Sequence, residues 1–293
     1  MGLQHNGIVT ESPEPQGGVL YLVGTPIGHR GDLSPRAQMV LAGVDRIACE
    51  DTRHSGQLLH FFGISKPLLS FHEHNQKQRI PALLDALGAG EALALVSDAG
   101  LPGISDPGEA LVAAARAAGH RVVCIPGPCA ATTALVSSGL PSGRFCFEGF
   151  LPLKGRERKS RLEAISQESR TTVLYEAPHR LVRLLQELVE HCGPERPVQV
   201  ARELTKRHEE QVGPDLAGAL AHFLATAPQG ECTLVLGGAA AEATVLPWDE
   251  TQLRQELTAL VASGLTASEA AKELAQSSGL QRRALYGLLH RGN

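Results

Sequence analysis

A cluster of polar and charged residues directly follows a predicted strand at 46–49. Glu50-Asp51-Thr52-Arg53-His54 places two carboxylates, a hydroxyl, a guanidinium and an imidazole at consecutive positions. Such residues take part in proton transfer and charge stabilisation, and ligand sites of open α/β sheets lie at the carboxyl ends of strands. We therefore predict a site here. Alternatively, Asp51 or Thr52 only caps the helix that follows.

A second stretch of this kind spans residues 93–108. Leu93, Leu95 and Val96 predict a buried strand that stops at Ser97, and a Gly- and Pro-rich segment follows. Strand-to-helix connections are usually shorter, so this segment indicates a shaped binding rim. We expect a helix to begin near Pro107, capped by Asp106. The alternative is a connector without a ligand.

A helix with almost no side-chain bulk is predicted to begin at Cys129-Ala130-Ala131, after a strand at 122–125. The first N–H groups of a helix have no partner within it, and small residues let a ligand approach them. Packing alone could also require small residues here.

The composition indicates an ordinary globular protein. Its 293 residues suggest two domains, and a net charge of −4 means that any RNA contact must come from local patches. The six cysteines lack metal-ligand spacing, and His72-Glu73-His74 has no completing ligands, so no metal is predicted. The sequence has neither a long apolar run nor a signal peptide. We therefore expect no membrane association and a cytoplasmic location.

The order of predicted elements divides the chain into four parts. Residues 1–18 resemble a disordered tail, and 19–139 alternate strands and helices as a parallel α/β domain does. A second α/β domain is predicted over 140–240, with strands at 145–150, 171–175, 197–201 and 231–236. A helical, helix-turn-helix-like segment is predicted over 241–293.

Two local groups of basic residues could contact RNA. One is a run on a predicted loop at 154–161, with Arg156, Arg158, Lys159 and Arg161, which is a phosphate contact or merely a solvated face. The other lies on the last predicted helix, where Arg282, Arg283 and Tyr286 could contact phosphate and stack on a base. Equally well, the last two predicted helices, which we call the terminal helix pair, are only a small appendage that packs on the protein.

The motifs taken together closely resemble one family, ribosomal RNA small subunit methyltransferase I, among the tetrapyrrole-methylase-like (class III) enzymes. The resemblance runs from about residue 19 to the C-terminus. The matching segments are T-P-I-G (25–28), E-D-T-R-H (50–54), S-D-A-G-L-P-G-I-S-D-P-G (97–108), P-G-P-C-A-A (126–131), F-C-F-E-G-F-L-P (145–152), Y-E-A-P-H-R (175–180) and A-R-E-L-T-K (201–206). His29, Leu101 and Gln229 depart from the family pattern, and Gln229 removes a charge beside Gly230 and Glu231.

The resemblance implies two αβα domains with the active site in the cleft between them, a homodimer, and S-adenosylmethionine (SAM) as cofactor. The implied reaction is 2′-O-methylation of a cytidine ribose in 16S rRNA, at the decoding centre of the small ribosomal subunit. By resemblance we assign SAM contacts, mostly through backbone, to Pro26, Asp98, Gly100, Ile104, Cys129, Ala130, Tyr175, Ala201 and Gly230.

The implied chemistry needs a base for the weakly acidic 2′-hydroxyl. We name Glu50 and Asp51 as candidates, with Arg53 holding a phosphate or orienting a carboxylate. Two other functions stay open: a tetrapyrrole C-methyltransferase and a non-catalytic ribosome-binding protein. The basic run, the motif at 50–54 and the terminal helix pair favour the rRNA enzyme over the first, and the intact cofactor loops argue against the second.

Overall fold

The computed structural model describes residues 15–239, 249–278 and 280–290. Outside the described residues lie 1–14 of the predicted tail, residue 240 of the predicted second domain, and 241–248, 279 and 291–293 of the predicted C-terminal segment. The chain forms two compact units, one up to Gly238 and one from Ala239 onward.

The first sheet has five parallel strands in the order β3-β2-β4-β1-β5. They are β1 (Val19–Val23), β2 (Arg46–Cys49), β3 (Leu68–Ser70), β4 (Leu93–Val96) and β5 (Arg121–Ile125). Parallel neighbours need crossover connections, which the helices supply. The helices are α1 (Pro35–Gly43), α2 (Thr52–Phe61), α3 (Gln76–Gly88), α4 (Glu109–Ala117) and, after β5, α5 (Ala130–Ser137).

Helices cover both faces of this sheet, which explains why its strands are apolar almost throughout. One face packs Tyr21 and Ile47 against α1, and the other packs Leu95 against Leu111 of α4. Because all five strands run in the same direction, the loops that follow them lie along one edge of the sheet. The loops that follow β2, β4 and β5 are the three segments that the sequence indicated.

The second sheet is mixed, with the order β6-β7-β10-β8-β9. Only β6 and β7 pair in parallel. The strands are β6 (Phe145–Phe150), β7 (Thr171–Glu176), β8 (Val198–Arg202), β9 (Glu210–Val212) and β10 (Cys232–Leu236), with helices α6 (Arg156–Gln167), α7 (Pro178–Cys192) and α8 (Leu216–Ala225). The three-residue strand β9 was not predicted. The fold class of two α/β domains followed by helices is confirmed.

One core cluster joins the two sheets through α5. Ala131 and Leu135 of this helix pack against Val173 and Val235 of the second sheet, in a cluster that also contains Ile27. The small residues of α5 therefore have a packing role, and the same packing fixes the start of the helix beside the second sheet.

The prediction that Asp106 caps the helix after the long loop is wrong. Helix α4 begins at Glu109, and its N-cap is Gly108, whose φ of 156° suits glycine. The chain needs these extra residues to turn, so Asp106 stays in the loop. The basic run was also misplaced: residues 156–161 begin α6 rather than forming a loop.

The second unit contains three helices over its described residues: α9 (Glu250–Ala262), α10 (Ala267–Ser278) and α11 (Arg282–His290). A capping box begins α10, since the Glu269 N–H donates to Thr266 and the Thr266 N–H donates back to Glu269. Leu285 is fully buried against α9 and α10. Among helices in the described ranges, none has the length and apolarity to cross a membrane.

Candidate active site

A cavity of about 420 Å³ lies between the loops of the first sheet and the ends of strands in the second. The first sheet contributes residues that follow β1, β2, β4 and β5, and the second contributes residues around β7 and β10. Its lining includes Ile27, Glu50, Asp98, Gly100, Ile104, Asp106, Cys129, Ala130, Tyr175, Glu176 and Glu231. The cleft that the resemblance implied is therefore present as a cavity.

The long loop after β4 is held in shape by its own hydrogen bonds and by the loop after β1. Thr25 and Gly100 exchange two backbone hydrogen bonds, of 2.9 and 3.1 Å. The buried Thr25 hydroxyl also donates to the Ser97 carbonyl at 3.2 Å. Gly100 has φ +81°, a conformation that side chains rarely adopt. The loop is thus a fixed wall of the cavity.

Small residues let the loops after β1 and β5 meet closely. A Cβ atom on Gly24 would lie 2.7 Å from the Gly127 Cα, so neither position admits a side chain without movement. At the start of α5, the Ala131 N–H is one of the groups that the sequence predicted to lack a partner within the helix. It donates to the Tyr175 hydroxyl at 3.0 Å. A ligand beside Ala130 therefore meets a helix start that is already partly satisfied.

The cavity is bordered by carboxylates from both sheets: Glu50, Asp98, Asp106, Glu176 and Glu231. Burial, and then the nearby Glu50, raise the pKa of Asp106 to about 6. Burial also raises the pKa of Glu50, with Asp98 as the next cause. A group of carboxylates that repel one another stabilises a cation placed among them.

Glu176 provides a test of whether this cavity fits the implied cofactor. Its side chain is fully buried, and its Oε1 accepts hydrogen bonds from the Ala177 N–H and from Arg180. Its Oε2 has no hydrogen-bond partner within the described residues. A buried oxygen of this kind needs a donor. SAM carries hydroxyl and amino donors and a sulfonium cation, so the residues present fit this cofactor.

Asp51 caps α2, the alternative that the sequence left open. Its carboxylate accepts from the Arg53 and His54 N–H groups at 2.8 and 3.4 Å, and it pairs with the Arg53 guanidinium at 2.8 Å. These bonds, the Arg53 side chain first, hold the pKa of Asp51 far below its usual range. Asp51 is therefore a weak base, whereas the raised pKa of Glu50 suits proton acceptance.

The structure brings most of the predicted cofactor residues together. The lining of the cavity includes Asp98, Gly100, Ile104, Cys129, Ala130 and Tyr175. Pro26 lines an adjacent depression instead. Ala201 is buried in the core beneath, and Gly230 only precedes the lining residues Glu231 and Cys232.

Sequence reasoning missed three of the cavity's carboxylates. Asp106 was assigned to a helix cap, although the length of its loop was a signal that it could face a ligand. Glu176 directly follows Tyr175 in the motif at 175–180, and Glu231 follows Gly230. Neighbours of assigned residues were therefore the available signal.

The phosphate role predicted for Arg158 is wrong. Its side chain is only 6% exposed, where it forms an ion pair with Glu187 and donates to the Pro152 carbonyl. Arg161 pairs with Glu148, and Lys159 lies 3.9 Å from Glu163. Arg156 is exposed.

On the last helix, Arg282 donates to the Ser268 hydroxyl, Arg283 is exposed, and Tyr286 is 42% exposed. Their predicted contact with RNA stays a prediction. Within the described ranges, no group of three or more His, Cys, Asp or Glu residues could hold a metal ion.

Comparison with known proteins gives a consistent result. A family model described as Tetrapyrrole (Corrin/Porphyrin) Methylases matches residues 19–221. The chain is 51% identical to a protein of Synechocystis sp. over 92% of this chain and 97% of that relative, and 45% identical to one of Escherichia coli O157:H7 over 94% and 96%. Both relatives are named ribosomal RNA small subunit methyltransferase I.

Solved structures share the fold at low identity. The methyltransferase CobJ matches with a TM-score of 0.59 and 22% identity, over 76% of this chain and 95% of that one. A uroporphyrin-III C-methyltransferase from Thermus thermophilus, complexed with S-adenosylhomocysteine, matches with a TM-score of 0.53 and 19% identity, over 74% and 96%. The chain therefore belongs to the tetrapyrrole methylase family and, within it, to the ribosomal RNA small subunit methyltransferase I family.

Proposed function

We propose that this protein transfers a methyl group from SAM to the 2′-hydroxyl of a cytidine ribose in 16S rRNA, at the decoding centre of the small ribosomal subunit. Membership of the family supports the coarser function, SAM-dependent methylation of rRNA. The cavity supports the cofactor through its carboxylates and the unpaired oxygen of Glu176.

The position of Glu50 carries the chemical part of the proposal. Glu50 lines the cavity and also an adjoining open depression, which Arg53, His72 and His74 line as well. Asp98 also lines both regions, but its Oδ1 already accepts a hydrogen bond from the Asp51 N–H, so Glu50 is the carboxylate that we assign to proton acceptance. A ribose entering from that depression would present its 2′-hydroxyl to Glu50.

The reaction asks for positioning and for removal of one proton. When bound, SAM supplies an electrophilic methyl group on its sulfonium. Glu50 accepts the proton of the 2′-hydroxyl as the new oxygen–carbon bond forms and the carbon–sulfur bond breaks. Its raised pKa makes it a stronger base than an ordinary carboxylate. Asp51 holds Arg53 at the entrance, where the exposed guanidinium can hold a phosphate of the substrate.

We also propose a cytoplasmic homodimer. The family resemblance implies the dimer, and strand β6 lies at an edge of its sheet with Phe145 and Phe147 more than one third exposed. Sedimentation equilibrium should give twice the mass of the chain. A mass of one chain across the concentration range would contradict the dimer.

The decisive experiment offers the purified protein labelled SAM and two acceptors. The acceptors are 30S subunits from cells lacking their own enzyme of this family, and a porphyrin precursor. We expect label in 16S rRNA, with a single new 2′-O-methylcytidine when the modification is mapped. Label in the porphyrin precursor would favour a tetrapyrrole methylase. Failure to bind SAM in calorimetry would favour a non-catalytic ribosome-binding protein.

A further inference from the structure

A shallow depression beside the cavity collects basic and aromatic side chains from three separate parts of the chain. They come from the short 3-10 helix at Arg30–Asp32, the end of α2 and the loop that follows β8. The lining includes His29, Arg30, Phe61, Lys206 and Arg207. No sequence motif joined these residues, because they are up to 178 positions apart.

Phe61 is a large apolar ring left in solvent. It is 55% exposed, and the guanidinium carbon of Arg30 lies 4.4 Å from the centre of its ring. Phe62 packs against this ring in an edge-to-face arrangement, with the two centroids 5.0 Å apart. An exposed ring held in place beside an arginine is a platform on which a nucleic-acid base can stack.

The charges of Arg30 and Arg207 are not compensated. Both side chains are exposed, and neither forms an ion pair with a carboxylate among the residues that the structure describes. Lys206 differs, since it pairs with Glu203 and Glu231 at 2.9 Å. The two arginines are thus available to phosphates, whereas the lysine is held in the structure.

The depression continues toward the cavity. It shares Gly28 and Arg30 with a second depression, which in turn shares Ile27 and Asp98 with the cavity. An RNA strand bound at Arg30 therefore has a continuous path to the proposed cofactor site.

The two sides of the depression are fixed to each other. The His29 N–H donates to the Thr205 hydroxyl at 3.0 Å. A Cβ atom on Gly28 would lie 2.5 Å from the Lys206 side chain. Thr205 has φ +63°, an uncommon conformation for threonine, and its N–H donates to Glu209. The surface is therefore formed before any ligand arrives.

We infer that Arg30, Phe61 and Arg207, which we call the basic aromatic surface, bind the single-stranded RNA that flanks the methylated nucleotide. Unpaired RNA is recognised by stacking of its bases on aromatic rings and by contacts of its phosphates with basic side chains, and this surface offers both. The inference rests on the proposed rRNA substrate.

The test compares two double variants that lose the same charge. Arg30→Ala/Arg207→Ala removes the surface, and Arg79→Ala/Arg116→Ala removes two exposed arginines elsewhere. Binding of a single-stranded rRNA oligonucleotide is measured across a salt series. We expect the first variant to lower the slope of log affinity against log salt by about 1.4, because each phosphate contact in single strands contributes about 0.7. The control should keep the wild-type slope.

Phe61 is tested separately because it carries no charge. Phe61→Ala should weaken oligonucleotide binding about tenfold, since the stacking of one base on an aromatic ring contributes about a factor of ten to the affinity. Phe61→Trp should restore it, and the salt slope should not change in either variant. SAM affinity should stay at the wild-type value in all of these variants.

Two results would overturn the inference. One is an equal loss of RNA affinity in the Arg79/Arg116 control. The other is that Arg30→Ala/Arg207→Ala leaves oligonucleotide binding unchanged but lowers the affinity for 30S subunits. That result would assign the surface to contact with a ribosomal protein. Failure of the proposed function looks different: the wild-type protein would then not methylate 30S subunits at all.

Discussion

The cavity and the basic aromatic surface lie side by side but carry opposite charge. Five carboxylates border the cavity, whereas the surface presents the guanidiniums of Arg30 and Arg207. A cationic sulfonium suits the first region, and a polyanionic RNA strand suits the second. The net charge of −4 reveals neither, because binding depends on local charges without partners.

The basic run at 156–161 makes the same point from the opposite side. It is the densest group of positive charge in the sequence, yet Arg158, Lys159 and Arg161 each have a glutamate partner. The basic aromatic surface is sparse in sequence but uncompensated in space. Density along the chain therefore does not show which basic side chains lack a carboxylate partner.

The comparison predicts that cavity variants change the chemical step or SAM binding, while surface variants change RNA binding. The largest effect is expected from Glu50→Gln, which keeps the shape but removes the proton acceptor. Turnover on 30S subunits should fall about 10²–10⁴-fold. SAM affinity, measured by calorimetry, should change much less.

Asp51→Asn is the matched control for Glu50→Gln, since the neighbouring carboxylate is already occupied by the start of α2 and by Arg53. Its effect on turnover should be the smaller of the two. If Asp51→Asn lowers turnover more than Glu50→Gln does, the assignment of the base is wrong.

The next largest effect is expected from Ala130→Leu. Ala130 lines the cavity at the start of α5, and added bulk there would occupy space proposed for the cofactor. SAM affinity should fall more than about tenfold, or about 1.4 kcal/mol. Thr132→Leu adds bulk at an exposed position of the same turn and should bind SAM normally. Unchanged affinity in Ala130→Leu would remove this loop from the site.

The sequence predicted the elements of the site better than its contacts. Periodicity and glycine positions located the strand ends at Cys49, Val96 and Ile125, because these depend on local preferences. The role of Asp106 was missed, because the N-cap at Gly108 depends on how the whole loop turns. Ion pairs such as Arg158 with Glu187 join residues 29 positions apart, which no local pattern shows.

The third-largest effect is expected from removal of the second unit, which tests whether the basic aromatic surface is sufficient for substrate binding. The helices of the second unit have a core of their own around Leu257 and Leu285. A chain that ends at about residue 245 should therefore fold and bind SAM. Methylation of 30S subunits should fall about tenfold through weaker substrate binding, since Arg282, Arg283 and Tyr286 are lost. Full activity of the truncated chain would show that the terminal helices are an appendage. Loss of folding would show that they are part of the core.

The smallest effect is expected from the protonation of Asp106. Its pKa of about 6 means that its carboxyl group is mostly neutral at pH 5 and mostly charged at pH 7. The charged form attracts the sulfonium, so SAM affinity should rise about fivefold, or about 1 kcal/mol, across this interval. The α-amino and α-carboxyl groups of SAM titrate outside it. Asp106→Asn should flatten this dependence.

The same group predicts the opposite trend for the stability of the protein without SAM. Because folding raises the pKa of Asp106 above its unfolded value of 3.8, the folded state binds more protons between that value and about 6. The contribution of Asp106 to the free energy of unfolding is therefore present below the lower pKa and is lost as the pH rises through the upper one. Urea unfolding of the wild-type and Asp106→Asn proteins at several pH values measures this difference. Equal pH dependence of both proteins, in stability and in SAM affinity, would show that Asp106 does not titrate in the cavity.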